Sequence, residues 1–137
     1  MDRTLPGGPP VANSADLPEH VLIVEDDPLI AFLAEETVRE LGVKSVRTAA
    51  SVTRALESIR AHAPDFALLD VGLIRENSFA VAEELERLKI PFIFVTGYAA
   101  DSIFPVRFAS RPMLSKPYTR DELLVVLGKW RNAIPQE

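Results

Sequence analysis

The chain has 137 residues, 47% of them hydrophobic and 26% charged, with a net charge of −5 and no cysteine. That size suits one domain with a proper core, and the lack of cysteine excludes disulfides, zinc–thiolate centres and thiol nucleophiles, as expected of a cytoplasmic protein. An acidic balance without a basic stripe argues against a nucleic-acid surface, and no apolar run has the length of a membrane span or the form of a signal peptide.

Residues Met1 to Pro18 hold four prolines and two glycines and few large apolar groups, so 1–18 reads as a flexible tail and 19–134 as the folded domain. The first strand is expected over His20–Glu25. Its run Val21-Leu22-Ile23-Val24 passes straight into Glu25-Asp26-Asp27-Pro28. A continuous apolar run of this length suits a buried strand of a parallel sheet. Pro28 suits the first turn of a helix, where its missing N–H costs nothing. The helix runs to about Leu41 with Ile30, Leu33, Ala34, Thr37, Val38 and Leu41 towards one face, and Gly42 closes it. Asp27 reads as the capping acid of this helix rather than a ligand.

Lys44–Thr48 is a short second strand. Ser51 caps a second helix over Val52–His62 with Val52, Ala55, Leu56 and Ile59 inward, stopped by Pro64. Asp65–Asp70 is the third strand and again ends in an acid. A third helix follows over Phe79–Leu88. Pro91–Val95 is the fourth strand, with Phe92 and Phe94 on one core face, and it ends at Thr96-Gly97. Ala99–Ala109 makes a poor helix because Pro105 interrupts it. Met113–Ser115 is the fifth strand, ending at Lys116-Pro117. Thr119-Arg120-Asp121-Glu122 is a capping box that opens a last helix reaching about Trp130, a packing residue. His20, His62, Arg107 and Arg111 read as surface residues.

Five alternations of strand and helix predict an α/β domain, a doubly wound five-stranded parallel sheet with right-handed crossovers. In such a sheet the carboxyl ends of the strands share one edge, where ligands bind. Glu25, Asp26, Asp70, Thr96 and Lys116 all fall there. Three acids repel one another unless a hard cation such as Mg²⁺ or Ca²⁺ joins them. A hydroxyl and an ammonium suit phosphoryl oxygens, and an isolated carboxylate can attack phosphorus. The set is the machinery for phosphoryl transfer to an aspartate.

The motifs VLIVEDD, PDFALLD, VTG and SKPY, in this order on these strand ends, make residues 20–132 resemble a receiver domain of two-component response regulators. PFIFVTGY further resembles alphaproteobacterial single-domain receivers with an F-A-T-G-Y-like sequence, with valine here in place of that alanine. The resemblance implies the flavodoxin-like (βα)5 fold with strand order 2-1-3-4-5. It implies Asp70 as phospho-acceptor, Mg²⁺ held by Asp26, Asp70 and the carbonyl of Gly72 with Glu25 beside it through water, and Thr96 and Lys116 as phosphoryl contacts. Gly97 would leave room for the incoming donor.

The partners implied are a histidine kinase or histidine phosphotransfer protein and an output protein, with no nucleic acid and no membrane, in stress-response signalling. No residues follow Glu137 to make an effector domain, so output is expected as a protein contact or as competition for phosphate. Beyond its own phosphorylation and dephosphorylation, such a protein is no enzyme. A phosphohydrolase with an aspartyl-phosphate intermediate would carry an acid/base aspartate two residues after its nucleophile, where this chain has Gly72. A degenerate receiver, used only for binding, is the alternative that intact Asp26, Asp70, Thr96 and Lys116 argue against. Two departures stand out. The segment from Val71 to Ser78 lacks the usual Met-Pro-Gly loop, and Met113 stands where receivers carry a switch aromatic. Tyr98, two residues past Thr96, is expected to take over part of that switch role, and Tyr98 to Arg111 to be the moving segment.

Overall fold

The apolar runs after His20, Asp65 and Pro91 become strands, and the punctuation around them becomes caps and turns. The computed structural model describes residues 16–73, 76–97 and 113–133. In chain order the elements are β1 (His20–Val24), α1 (Pro28–Glu40), β2 (Ser45–Ala49), α2 (Val52–Ala61), β3 (Phe66–Asp70), β4 (Gly72–Leu73), β5 (Glu76–Asn77), α3 (Phe79–Arg87), β6 (Phe92–Thr96), β7 (Met113–Ser115) and α4 (Arg120–Gly128), followed by a 3₁₀ turn over Trp130–Ala133. Tyr98, Pro105, Arg107 and Arg111 lie outside the described residues, as does most of the expected tail.

Five strands form one sheet in the order β2-β1-β3-β6-β7, and every neighbouring pair is parallel. Counting only these five gives the expected order 2-1-3-4-5. The central strands β1, β3 and β6 are apolar on both faces because both faces are covered. Leu22, Val24, Ala67, Leu69, Phe92 and Phe94 pack with Ala55 and Ile59 of α2 and Val81, Ala82 and Leu85 of α3. The alternate residues Val21, Ile23, Phe66, Leu68, Ile93 and Val95 pack with Ala34 and Val38 of α1 and Leu123 and Leu127 of α4. Phe92 and Phe94 share a face as expected, their rings edge-to-face at 5.4 Å.

The caps are where the sequence puts them. Asp27 Oδ1 accepts the N–H groups of Leu29 and Ile30, and Ser51 Oγ accepts that of Arg54. Thr119 and Glu122 form the reciprocal capping box. Gly42 turns the chain after α1 at φ +117°, a conformation that L side chains rarely adopt.

Three findings depart from expectation. First, α1 buries Ala34 and Val38 as expected but not all of the expected face. Its buried residues are Ala31, Ala34 and Val38, whereas Ile30 and Leu33 are 40% and 54% exposed. Small alanines let the helix approach the sheet closely, and the larger residues are turned outward. Second, β4 and β5 pair antiparallel as a two-stranded hairpin directly after Asp70, in the segment that lacks the usual loop. Third, Leu17 and Pro18, placed by composition in the tail, are buried. Leu17 joins the α1-side core, and Trp130 Nε1 donates to the Asp16 carbonyl at 3.1 Å.

Candidate functional site

The carboxyl edge of the sheet gathers residues far apart in sequence. Glu25 and Asp26 follow β1, Asp70 ends β3, Thr96 ends β6 and Lys116 follows β7. The parallel register places Asp70 beside Val95 and Thr96 beside Ser115, so the Asp70 carboxylate, the Thr96 hydroxyl and the lysine sit on successive strand ends. Lys116 N–H donates to the Thr96 carbonyl at 2.8 Å, which fixes the backbone from which the lysine side chain starts. The Lys116–Pro117 peptide is cis.

At the centre stands an ion triad. Lys116 Nζ lies 2.9 Å from Asp70 Oδ2 and 3.1 Å from Glu25 Oε1. The second oxygens are also engaged. Asp70 Oδ1 accepts the N–H of Gly72 at 3.3 Å, and Glu25 Oε2 accepts that of Asp27 at 3.1 Å. Glu25, Asp70 and Thr96 are all buried. The Glu25 carboxyl is held above the ordinary glutamate range, first by burial and then by the neighbouring Asp70, against the opposing pull of the Asp27 amide and Lys116. Burial alone would lower the Lys116 ammonium, but its bonds to Asp70 and Glu25 together outweigh that and raise it. The lysine is therefore a fixed cation at neutral pH.

Asp26 is half-buried. Oxygens of Glu25, Asp26 and Asp70 lie within 4.8 Å of one another, the one such acid or histidine group among the described residues. Three carboxylates at this spacing form a hard-oxygen donor set, and that chemistry fits Mg²⁺. Gly72 is exposed in β4, and a Cβ there would meet nothing within 4 Å among the described residues; the same holds for Gly97. The structure thus brings Glu25, Asp26, Asp70 and Lys116 into one cluster with Thr96 on the adjoining strand end. Met113 pairs with Phe94 in register and packs against the α2–α3-side core. Tyr98 falls outside the described residues.

Sequence reasoning missed two features. The Lys116–Glu25 contact was not foreseen, because Lys116 was read only as a phosphoryl contact. The hairpin after Asp70 was missed as well. Its Glu76 carboxylate accepts the Val52 N–H at 3.0 Å, so the hairpin ties the edge beside Asp70 to the start of α2. Glu76, an acid six residues after Asp70, is the only trace of it in the sequence.

Compared with known protein families, residues 21–127 match the response regulator receiver domain. The solution structure of SdrG from Sphingomonas melonis Fr1 is similar at 42% identity and a TM-score of 0.71, over 82% of this chain and 94% of that one. The receiver domain of the PhyR response regulator from Erythrobacter litoralis is similar at 27% identity and a TM-score of 0.75, over 90% and 97%. The sensory transduction protein LytT of Enterococcus faecalis is 32% identical over 116 residues, which are 80% of this chain and 47% of LytT. The chain thus spans about half the length of that relative.

Proposed function

The chain belongs to the response regulator receiver domain family, and from that premise we propose that it is a phosphorylation-operated switch whose acceptor is Asp70. A phosphohistidine of a histidine kinase or histidine phosphotransfer protein is the donor. An Asp70 carboxylate oxygen forms a bond to phosphorus, the phosphorus–nitrogen bond to the donor histidine breaks, and the electron pair leaves with the imidazole. The single observation that carries this reading is the Lys116 ammonium held on Asp70 at 2.9 Å beside a three-carboxylate cluster.

The residues divide the work as follows. Asp26 and Asp70, with Glu25 and the Gly72 carbonyl beside them, would hold Mg²⁺. When bound, the ion neutralises charge on phosphoryl oxygens. Lys116 supplies a compact positive charge that can follow Asp70 from carboxylate to acyl phosphate. The Thr96 hydroxyl donates to a phosphoryl oxygen. Burial of Glu25, Asp70 and Thr96 keeps these interactions strong by limiting water.

The donor protein docks on the outer face of α1. Leu29, Phe32 and Leu33, spaced i, i+3 and i+4, are 65%, 56% and 54% exposed and begin two residues after the capping Asp27. Output is a changed protein contact. Tyr98 and the segment to Arg111 are proposed as the part that responds.

The test is labelling with a phosphohistidine donor and, separately, with a small donor such as phosphoramidate. Wild type should be labelled only with Mg²⁺ present, and Asp70→Asn should not be labelled. Equal labelling of Asp70→Asn would refute the assignment.

A further inference from the structure

Tyr118 follows Lys116 by two residues and is half-buried. It packs against the α1-side core. Together with Ile30, Ala34 and Val95 it walls a cavity of about 10 Å³ whose polar lining is Glu25, Asp70 and Lys116. That volume is no more than about one water, so little solvent stands between the tyrosine and the triad. The Tyr118 hydroxyl also feels all three ions. Burial raises it first, Lys116 pulls it down, and Glu25 and Asp70 push it up.

A lysine ammonium rides on a flexible four-carbon stem. The two hydrogen bonds of Lys116 fix its nitrogen, but nothing in them confines the stem. The confinement has to come from packing. Ile30 is itself 40% exposed, and of the residues that line the cavity, Ile23, Val24 and Leu68 among them, Tyr118 carries the one aromatic ring.

We propose that Tyr118 is a positioning residue for Lys116: its ring closes the α1 side of the triad and keeps the ammonium on Asp70 and Glu25 rather than in solvent. The geometry stands by itself; its consequence for phosphoryl transfer rests on the acceptor role proposed for Asp70. A phenyl ring would do the same work, because it is the bulk and not the hydroxyl that confines the stem.

The experiment is hydrogen exchange at the lysine ammonium groups of the full chain, labelled with ¹⁵N-lysine, in metal-free buffer. Lys116→Arg assigns the signal by removing it, and Lys44, with its side chain 76% exposed, is the reference. The Lys116 signal should exchange about tenfold more slowly than Lys44 in wild type, a protection that local opening removes. Tyr118→Phe should keep that protection. Tyr118→Ala should lose it, while Leu123→Ala, a fully buried neighbour in the same core, lowers stability without losing it. If Tyr118→Ala does not fold, Tyr118→Leu serves, and several-fold faster exchange is expected there. Wild-type protection in the Ala or Leu variant, or equal loss in Leu123→Ala, would overturn the proposal. Phosphoramidate labelling of wild type runs in parallel: without labelling at Asp70 the acceptor role fails, whereas the exchange result still decides the role of Tyr118.

Discussion

Replacing Asp26 by asparagine should change stability in opposite directions with and without Mg²⁺. The three carboxylates lie within 4.8 Å of one another. At that spacing and an effective dielectric of about 20, one ionised pair repels by roughly 3.5 kcal/mol. Lys116 offsets this for Glu25 and Asp70, to which it is bonded, and Asp26 meets both of them from a half-exposed position. Solvent screening there cuts the repulsion to about 1 kcal/mol. Asp26→Asn keeps the shape and removes the charge, so metal-free protein should melt about 4 °C higher than wild type. With Mg²⁺ at a hundredfold excess over Kd, wild type should gain about 2.7 kcal/mol, near 10 °C in Tm, and Asp26→Asn should lose most of that gain. Differential scanning calorimetry in chelated buffer, with Mg²⁺, and with NaCl at matched ionic strength reads all three. A lower metal-free Tm in Asp26→Asn, or a full Mg²⁺ shift in the variant, would refute the electrostatic argument. So would a shift that NaCl reproduces.

Other consequences can be checked separately. Phe32→Asp places a charge on the exposed face of α1 and should slow transfer from a phosphohistidine protein at least about tenfold, the scale of one interface anchor; labelling by phosphoramidate should be unchanged, and equal slowing of both would move the docking face elsewhere. Gly42→Ala puts a Cβ at φ +117° and 3.3 Å from Leu17 Cδ1, so urea titration should show a loss of more than about 1 kcal/mol. Glu25 is held above its ordinary range in the folded state, so the folded chain binds that proton more tightly than the unfolded one. Its contribution therefore opposes folding above the folded value, and it fades as pH falls towards the ordinary glutamate range. Metal-free wild type should gain stability relative to Glu25→Gln as pH is lowered from 7 towards about 4.5; parallel pH profiles would show that Glu25 is not perturbed.

The sheet was legible because its central strands are uninterrupted apolar runs that end in acids or turn residues, and the caps because Asp27, Ser51 and Thr119 leave the helix few other starts. The convergence of Glu25, Asp26, Asp70, Thr96 and Lys116 on one edge followed from topology alone. The buried face of α1 was only partly legible, because size was taken as the sign of burial. Ala34 and Val38 are buried as expected, but Ile30 and Leu33 are large and turn outward while Ala31 takes their place. The hairpin over Gly72–Asn77 was invisible because Gly-Leu and Glu-Asn carry no alternation, and two residues a side are too few to show a period. The bond from Lys116 to Glu25 spans 91 positions, and no local pattern announces which of two carboxylates a lysine will share.

β7 has three residues, Met113–Ser115, and it is an edge strand of the sheet. The one cation of the triad hangs from its end, and the backbone of that residue is held, among the described residues, by the Lys116 N–H to the Thr96 carbonyl. Short peripheral strands open at a fraction of the global unfolding free energy. The site can therefore lose the Lys116 contact while the β1–β3 and β3–β6 pairings remain. In mild denaturant, competence for phosphoryl transfer should fade before the circular dichroism of the fold does, so that the margin of working protein is set by its weakest edge rather than by its core.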